Sequence, residues 1–191
     1  MEKLSITTER LWLRNLKASD VNDFFNYRSN PEVTKYQGFD VMTLEECKDF
    51  IACYIDKPFG IAGEWVQYGI ENKETQTLIG DFAIRLDKHD TRLAEIGLTI
   101  SHLHQQKGFA KETLLGLVNW LFEKHNIHRI TEIVDEENIA SIKLLKSIGF
   151  REEGHFIENI FHKGRWCSEY QYAILRSEWN EIKSKILSPI N

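Results

Sequence analysis

Six consecutive residues, Gln105-Gln106-Lys107-Gly108-Phe109-Ala110, have the types and order needed to grip a phosphate. They separate an apolar, strand-like run (Leu93 to Ile100) from an amphipathic helical pattern (Lys111 to Lys124). A strand that turns through glycine into a helix leaves several backbone N–H groups free at the helix start. The positive end of the helix dipole stands behind them. Gly108 lets the main chain approach an anion closely, and Ala110 keeps the first turn against the sheet. A glycine at such a turn is also common on structural grounds, so an anion cradle and a plain turn both fit these six residues. His102, His104, His125 and His128 have no Cys or carboxylate at ligand spacing, and no metal is expected.

The bulk properties narrow the field. A chain of 191 residues with 42% hydrophobic and 28% charged residues suits one domain spanning 1–191. A net charge of −5 argues against a general nucleic-acid binder or a basic membrane-surface protein. Met1 to Ser5 lacks a signal-peptide core, and no apolar run approaches about 18 residues. Cys47, Cys53 and Cys167 are odd in number and show no redox spacing, so reduced thiols and a cytoplasmic location are expected.

The elements that must hold the motif can be placed from periodicity and punctuation. Glu9 to Arg14 alternates as a first strand. Ser19 and Asp20 look like N-caps for a helix to Arg28, which Ser29-Asn30-Pro31 stops. Thr43 and Glu46 form a capping box for a second helix through Tyr54. Strands at Trp65 to Glu71, Thr77 to Leu86 and Arg92 to Ile100 are joined by turns too short for crossovers, which predicts an antiparallel meander. After the motif helix come a strand (His128 to Val134) and a helix from Asn138 closed by Gly149-Phe150. A hairpin then joins Phe156 to His162 and Trp166 to Leu175 across Lys163-Gly164, and a helix follows from Ser177. The order predicts an α+β fold with one parallel βαβ unit inside a mixed, mostly antiparallel sheet.

With that order in place, the chain resembles the GNAT superfamily of acetyl-CoA-dependent N-acetyltransferases, and within it the RimJ/RimL-type branch of ribosomal-protein N-terminal acetyltransferases. Four segments carry the likeness: Thr8-Glu9-Arg10-Leu11-x-Leu13-Arg14; Glu95-Ile96-Gly97 ahead of Gln105-x-x-Gly108-x-Ala110; Asn138-Ile139-Ala140-Ser141 leading to Gly149-Phe150; and Gly164-Arg165-Trp166 before Tyr172 and Trp179. Two positions depart from the branch. Gln106 stands where a second glycine is usual, and Ser168 where an aspartate is.

The resemblance implies an α/β/α sandwich whose central sheet is splayed at the cofactor site. The pantetheine arm of acetyl-CoA would follow the main chain of Leu98, Thr99 and Ile100. Its diphosphate would sit on the loop and helix start formed by Gln105, Gln106, Lys107, Gly108, Phe109, Ala110 and Lys111. Asn138 and Ser141 suit a helix cap by residue type; the resemblance adds contact of Asn138 with the cofactor. Ser141 would steady the departing thiolate, because Leu145 falls where many superfamily members have a tyrosine. Strand alternation sets Glu95, Gly97 and Thr99 on one face, and Glu95 is the candidate base that takes the amine's proton. Its bland alternative is an ion pair with Arg85 or Arg92; Asp81, Glu158 and Glu169 are reserves. Tyr36, Phe39 and Trp65, in or beside loops, are candidate acceptor walls.

The expected function is direct acetyl transfer to a primary amine in a ternary complex, since no cysteine lies in any motif. The branch suggests a protein N-terminal α-amine. A polyamine, amino acid or aminoglycoside is the rival acceptor, and a non-catalytic acyl-CoA-binding relative is the rival of another class. A monomer or homodimer is expected.

Overall fold

A computed structural model describes residues 3–187. Its strands are β1 (Ser5–Thr7), β2 (Leu11–Asn15), β3 (Trp65–Asn72), β4 (Leu78–Leu86), β5 (Leu93–Ile100), β6 (Arg129–Asp135), β7 (Arg151–His162) and β8 (Arg165–Leu175). Its helices are α1 (Val21–Arg28), α2 (Pro31–Thr34), α3 (Leu44–Tyr54), α4 (Phe109–Lys124), α5 (Ile139–Ile148) and α6 (Arg176–Leu187). The strands form one sheet in the order β1-β2-β3-β4-β5-β6-β8-β7. Only β5 and β6 pair parallel; the other neighbours are antiparallel. This is the expected α+β layering with its meander.

Alternation along the strands sorts the side chains into two cores. Leu13, Tyr68, Phe82, Ile96 and Ile130 share a face with Leu114, Leu117, Val118, Leu121 and Phe122 of α4. The 3-1-3-1 spacing of those α4 residues makes the stripe that a helix presents to a sheet. On the other face a smaller core gathers Leu16, Phe24, Tyr27, Cys47 and Ile51 under α1 and α3.

The central sheet is split. β5 pairs with β6 only from Leu93–Arg129 to Glu95–Thr131, although β5 continues to Ile100 and β6 to Asp135. Past that point the two strands fork, so the β5 main chain facing the fork has no ladder partner. Gln105 partly compensates by donating its side-chain amide to the Ile100 carbonyl at 3.1 Å.

Several boundaries differ from the sequence expectation. Pro31 does not simply stop α1; it is the first residue of α2, a position its fixed φ suits, and Asn30 caps it by accepting from Glu32 N at 3.0 Å. Asp20 stands at the N-cap position of α1 but makes no side-chain capping bond, and Ser19 lies one residue before it. The Asp20 carboxylate takes the buried Arg14 fork at 2.7 and 2.8 Å and the Lys17 N–H at 2.7 Å. α4 starts at Phe109 and β7 at Arg151, earlier than expected, and β1 has no counterpart in the sequence reading. The Thr43–Glu46 box and the Asn138 cap do form. So does the hairpin turn, with Lys163 and Gly164 both at positive φ.

Candidate active site

The turn before α4 has the features of an anion cradle. Gly108 sits at φ +80° as the helix N-cap, and the first intrahelical bond runs from Glu112 N to Gly108 O at 3.0 Å. The amides of Phe109, Ala110 and Lys111 therefore have no acceptor within the helix. Gln106 is also left-handed, at φ +60°. That conformation costs a non-glycine residue about 1 kcal/mol or more, which explains physically why glycine suits this place. The turn is braced by Arg10, just ahead of β2, which lies 4.5 Å from the Phe109 ring centroid and donates to Lys107 O at 3.0 Å. Arg10 Nε also donates to Glu112 at 2.7 Å. Burial works against ionised Glu112, but hydrogen bonds from Thr8 and Arg10 outweigh it and hold this carboxyl below its ordinary range.

A cavity of about 450 Å³ opens from the cradle along the fork. Leu98, Thr99, Ile100, Gln105, Gln106, Gly108, Ala110, Lys111, Asn138 and Ser141 all line it, which gathers most of the expected cofactor residues in one place. Asn138 spends its side-chain oxygen on the α5 cap, accepting from Ser141 N at 3.2 Å. Its NH₂ group and the Ser141 hydroxyl are the polar groups left to serve a ligand. Lys107 and Phe109 are not in the lining. Lys107 donates to Leu103 O at 2.8 Å, and the Phe109 side chain is buried beneath Arg10. The residue types fit a diphosphate with an extended amide-bearing arm: free amides at a helix start, and strand backbone left open by the fork.

A second cavity, of about 580 Å³, lies on the α1–α3 face and shares Gln37 and Thr99 with the first. Phe39 and Trp65 line it, together with Phe50, Tyr54, Asp40 and Glu46. Tyr36 lines the first cavity instead. Hydrogen bonds from the Thr43 backbone and then its hydroxyl hold the Glu46 carboxyl below its usual range, so it is a fixed negative charge at this mouth. Across the opening, the β7–β8 turn straps the loop down: His162 Nε2 meets Gln37 O at 2.8 Å, and Lys163 donates to Thr34 O.

The candidate bases separate clearly. Asp81 is fully buried and receives Tyr27 Oη at 2.7 Å, Arg28 and Gln67, which commits it to the fold. Glu158 is exposed on β7, where its N–H donates to Ser168 Oγ at 3.0 Å; Glu169 accepts from Asn159 at 2.7 Å. Neither borders the two cavities. Glu95 pairs with Arg85 and opens onto a neighbouring hollow of about 390 Å³, two residues along β5 from Gly97 of the second cavity. A larger cavity of about 770 Å³ lies around Phe59, Trp120 and His125 at the far end of α4, about 24 Å from the cradle by helix rise. Among the described residues, no three His, Cys, Asp or Glu side chains gather to hold a metal ion. No helix among them is long and apolar enough to cross a membrane.

Sequence reasoning did not name Glu32, Gln37, His104 and Leu144, which line the first cavity, or Asp40, Glu46 and Tyr54, which line the second, as site candidates. His104 could have been suspected from its place just before the motif; burial first, and Lys107 second, lower its proton affinity. Gln37 carries no periodic signal, because a loop and a distant hairpin position it.

Comparison with known proteins gives a consistent result. Residues 10–151 match the family model described as the acetyltransferase (GNAT) domain. The N-acetyltransferase p20 of Bacillus licheniformis is 34% identical over 176 residues, covering 92% of this chain and 98% of that protein. The crystal structure of a GNAT-family acetyltransferase from Bacillus anthracis superposes with a TM-score of 0.82 at 27% identity, covering 92% of this chain and 100% of that one. Spermidine N-acetyltransferase from Vibrio cholerae, solved with CoA and spermine, gives a TM-score of 0.77 at 26% identity, covering 91% and 99%.

Proposed function

The chain belongs to the acetyltransferase (GNAT) family, and on that premise we propose direct acetyl transfer to a primary amine, with both substrates bound at once. The protein is an N-acetyltransferase that uses acetyl-CoA. What acetyl-CoA supplies is an acetyl group activated as a thioester. The chain's own residues then have separable tasks. Amides from Gly108 to Lys111 hold the diphosphate, and the backbone of Leu98 to Ile100 orients the arm. Asn138 and Ser141 meet it from α5, with the Ser141 hydroxyl donating to the sulfur. Glu95 takes the proton from the amine, directly or through water.

The observation that carries this reading is the meeting of the two cavities at Gln37 and Thr99, beside the stretch of β5 that lies past its last pair with β6. Such a meeting lets an amine on one face reach an acyl group on the other without a covalent enzyme intermediate. No cysteine lines either cavity, and burial lifts the Cys47 thiol to about 11. Initial-rate kinetics test the mechanism. Double-reciprocal lines for the two substrates should intersect, and parallel lines would sink direct transfer.

For the acceptor, the RimJ/RimL-type motifs support a protein N-terminal α-amine. A polyamine is the second reading, favoured by Asp40 and Glu46 beside Phe50, Tyr54 and Trp65 in the acceptor cavity. Competition between an N-terminal peptide and spermidine for limiting enzyme separates them. The true class should show the larger kcat/KM, and Glu46→Gln should raise KM only for a polyamine. An α-amine loses its proton near about 7.8 and an alkylamine near about 10.4, so the polyamine rate should keep rising to higher pH. Glu95→Gln should bind acetyl-CoA normally and lose about 100-fold or more in turnover; full activity would remove Glu95 from the mechanism.

A further inference from the structure

Three charged side chains line the second cavity, and they differ in burial. Asp40 and Glu46 are exposed, whereas Arg28 at the end of α1 is 2% exposed. Its guanidinium lies 3.7 Å from the Phe39 ring centroid and 4.8 Å from that of Phe24. What fixes it is Asp81 of β4, which is fully buried and does not border the cavity. Asp81 Oδ1 accepts from Tyr27 Oη at 2.7 Å and from Arg28 Nε at 3.3 Å. Its Oδ2 accepts from Arg28 Nη2 and from Nε2 of Gln67, a β3 residue that also lines the cavity.

A carboxylate only accepts hydrogen bonds, so it dictates which atoms its two cavity-lining partners have left to offer. The Gln67 amide must turn Nε2 toward Asp81, which leaves Oε1 pointing elsewhere. The guanidinium spends Nε and Nη2 on Asp81, which leaves Nη1. Neither Oε1 nor Nη1 has a hydrogen-bond partner among the described residues. Among those residues, the enclosed side-chain polar atoms without a partner are Tyr68 Oη, Thr113 Oγ1 and Glu132 Oε2. Arg28 Nη1 and Gln67 Oε1 therefore reach open space, and the second cavity is the space they border. One donor and one acceptor are thus presented there, both oriented by the same Asp81 oxygen.

We infer that Arg28 and Gln67 dock the first peptide group of the acceptor, with Nη1 donating to its C=O and Oε1 accepting from its N–H. The inference rests on the reading above, in which the second cavity takes the amine, and it chooses between the two acceptor classes named there. A peptide group carries one acceptor and one donor, the complement of what these two side chains present. A polyamine carries donors and would set an ammonium chain against Nη1. The carboxylate of a free amino acid carries acceptors and would face Oε1 with like polarity. Asp81 already neutralises Arg28, so the pair suits a dipole rather than a net charge. Reach agrees as well. Asp81 is the ladder partner of Thr99, where the two cavities meet, and one strand spacing is about 4.8 Å. An α-amine and its first peptide group lie within one residue length, about 3.5 Å.

The test compares a trialanine peptide, its isostere with an ester oxygen in place of the first peptide N–H, and spermidine. Wild-type kcat/KM should be about 10-fold or more higher for the peptide than for the ester, which leaves Oε1 unmet. Gln67→Met keeps the length of the side chain and loses Oε1, while Asp81 retains Tyr27 and Arg28. In that variant the peptide-to-ester ratio should shrink to about threefold or less, with calorimetric affinity for acetyl-CoA unchanged. A wild-type enzyme that treats peptide and ester alike overturns the inference. So does a Gln67→Met enzyme that keeps the wild-type ratio, since a side chain that only supports the fold would slow both substrates equally. Should Gln67→Met fail to fold, the wild-type ratio decides alone. Wild type that acetylates spermidine and neither alanine substrate also overturns the inference, and leaves direct transfer to an amine standing. Wild type that acetylates none of the three would instead bring down the reading beneath it.

Discussion

Asp81 and Glu132 are both carboxylates inside the same sheet, 0% and 5% exposed, and their surroundings treat them in opposite ways. Asp81, on the α1 side of β4, receives hydrogen bonds from Tyr27, Arg28 and Gln67. Glu132, on the α4 side of β6, has one oxygen with no partner and an acidic neighbour. A buried charge that is paired on several sides ties elements together; here it pins α1 to β3 and β4 beneath the acceptor cavity. A buried carboxyl without partners costs stability, and the fold tolerates it most readily where a ligand can complete it. The contrast separates a satisfied buried acid from an unsatisfied one, although both look alike in sequence.

The sharpest break comes from removing the partner of the satisfied carboxyl. Arg28→Met leaves Asp81 charged and uncompensated, at an expected cost of about 3–5 kcal/mol in denaturant unfolding. A loss below about 1 kcal/mol would mean that the Arg28–Asp81 pair does not hold α1 to the sheet. Next is the unsatisfied carboxyl. Its folded-state pKa is raised, so the stability it allows is fully present below its ordinary value of 4.5 and is lost as pH rises toward about 8. Relative to wild type, Glu132→Gln should therefore gain on the order of 3 kcal/mol between pH 5 and pH 8. Parallel stability curves for the two proteins would place Glu132 in contact with solvent or a partner. Tyr27→Phe, which deletes one of the donors to Asp81, should cost about 2 kcal/mol, with acetyl-CoA affinity unchanged in the same preparation.

The two carboxylates also mark how far the sequence can be read. The meander, the parallel β5–α4–β6 unit and the helix caps at Thr43, Asn138 and Gly149 are encoded locally, in periodicity and punctuation. The cradle was legible because glycine, free amides and helix start are neighbours in sequence. Asp81 and Arg28 are 53 residues apart, and nothing in either segment announces their pairing. β1 is three residues long and β7 begins among charged side chains, so neither start carries an alternation to read. Glu132 sits in the run Ile130-Thr131-Glu132-Ile133-Val134, where only the burial pattern shows that the acid faces inward. The end of β5–β6 pairing depends on packing between strands and leaves no mark on either one.

The smallest expected effect tests whether the acidic pair is coupled. Arg85 shields Glu95 in an ion pair whose side chains are 42% and 22% exposed, so Arg85→Gln should change stability by about 1 kcal/mol or less. Its consequence should appear at a distance. With Arg85 gone, the negative charge of Glu95 acts on Glu132 without a nearby cation, and the ionised form of Glu132 becomes harder to reach. The pH at which stability finishes falling should then move upward, by a fraction of a unit. If it does not move, burial alone keeps Glu132 protonated.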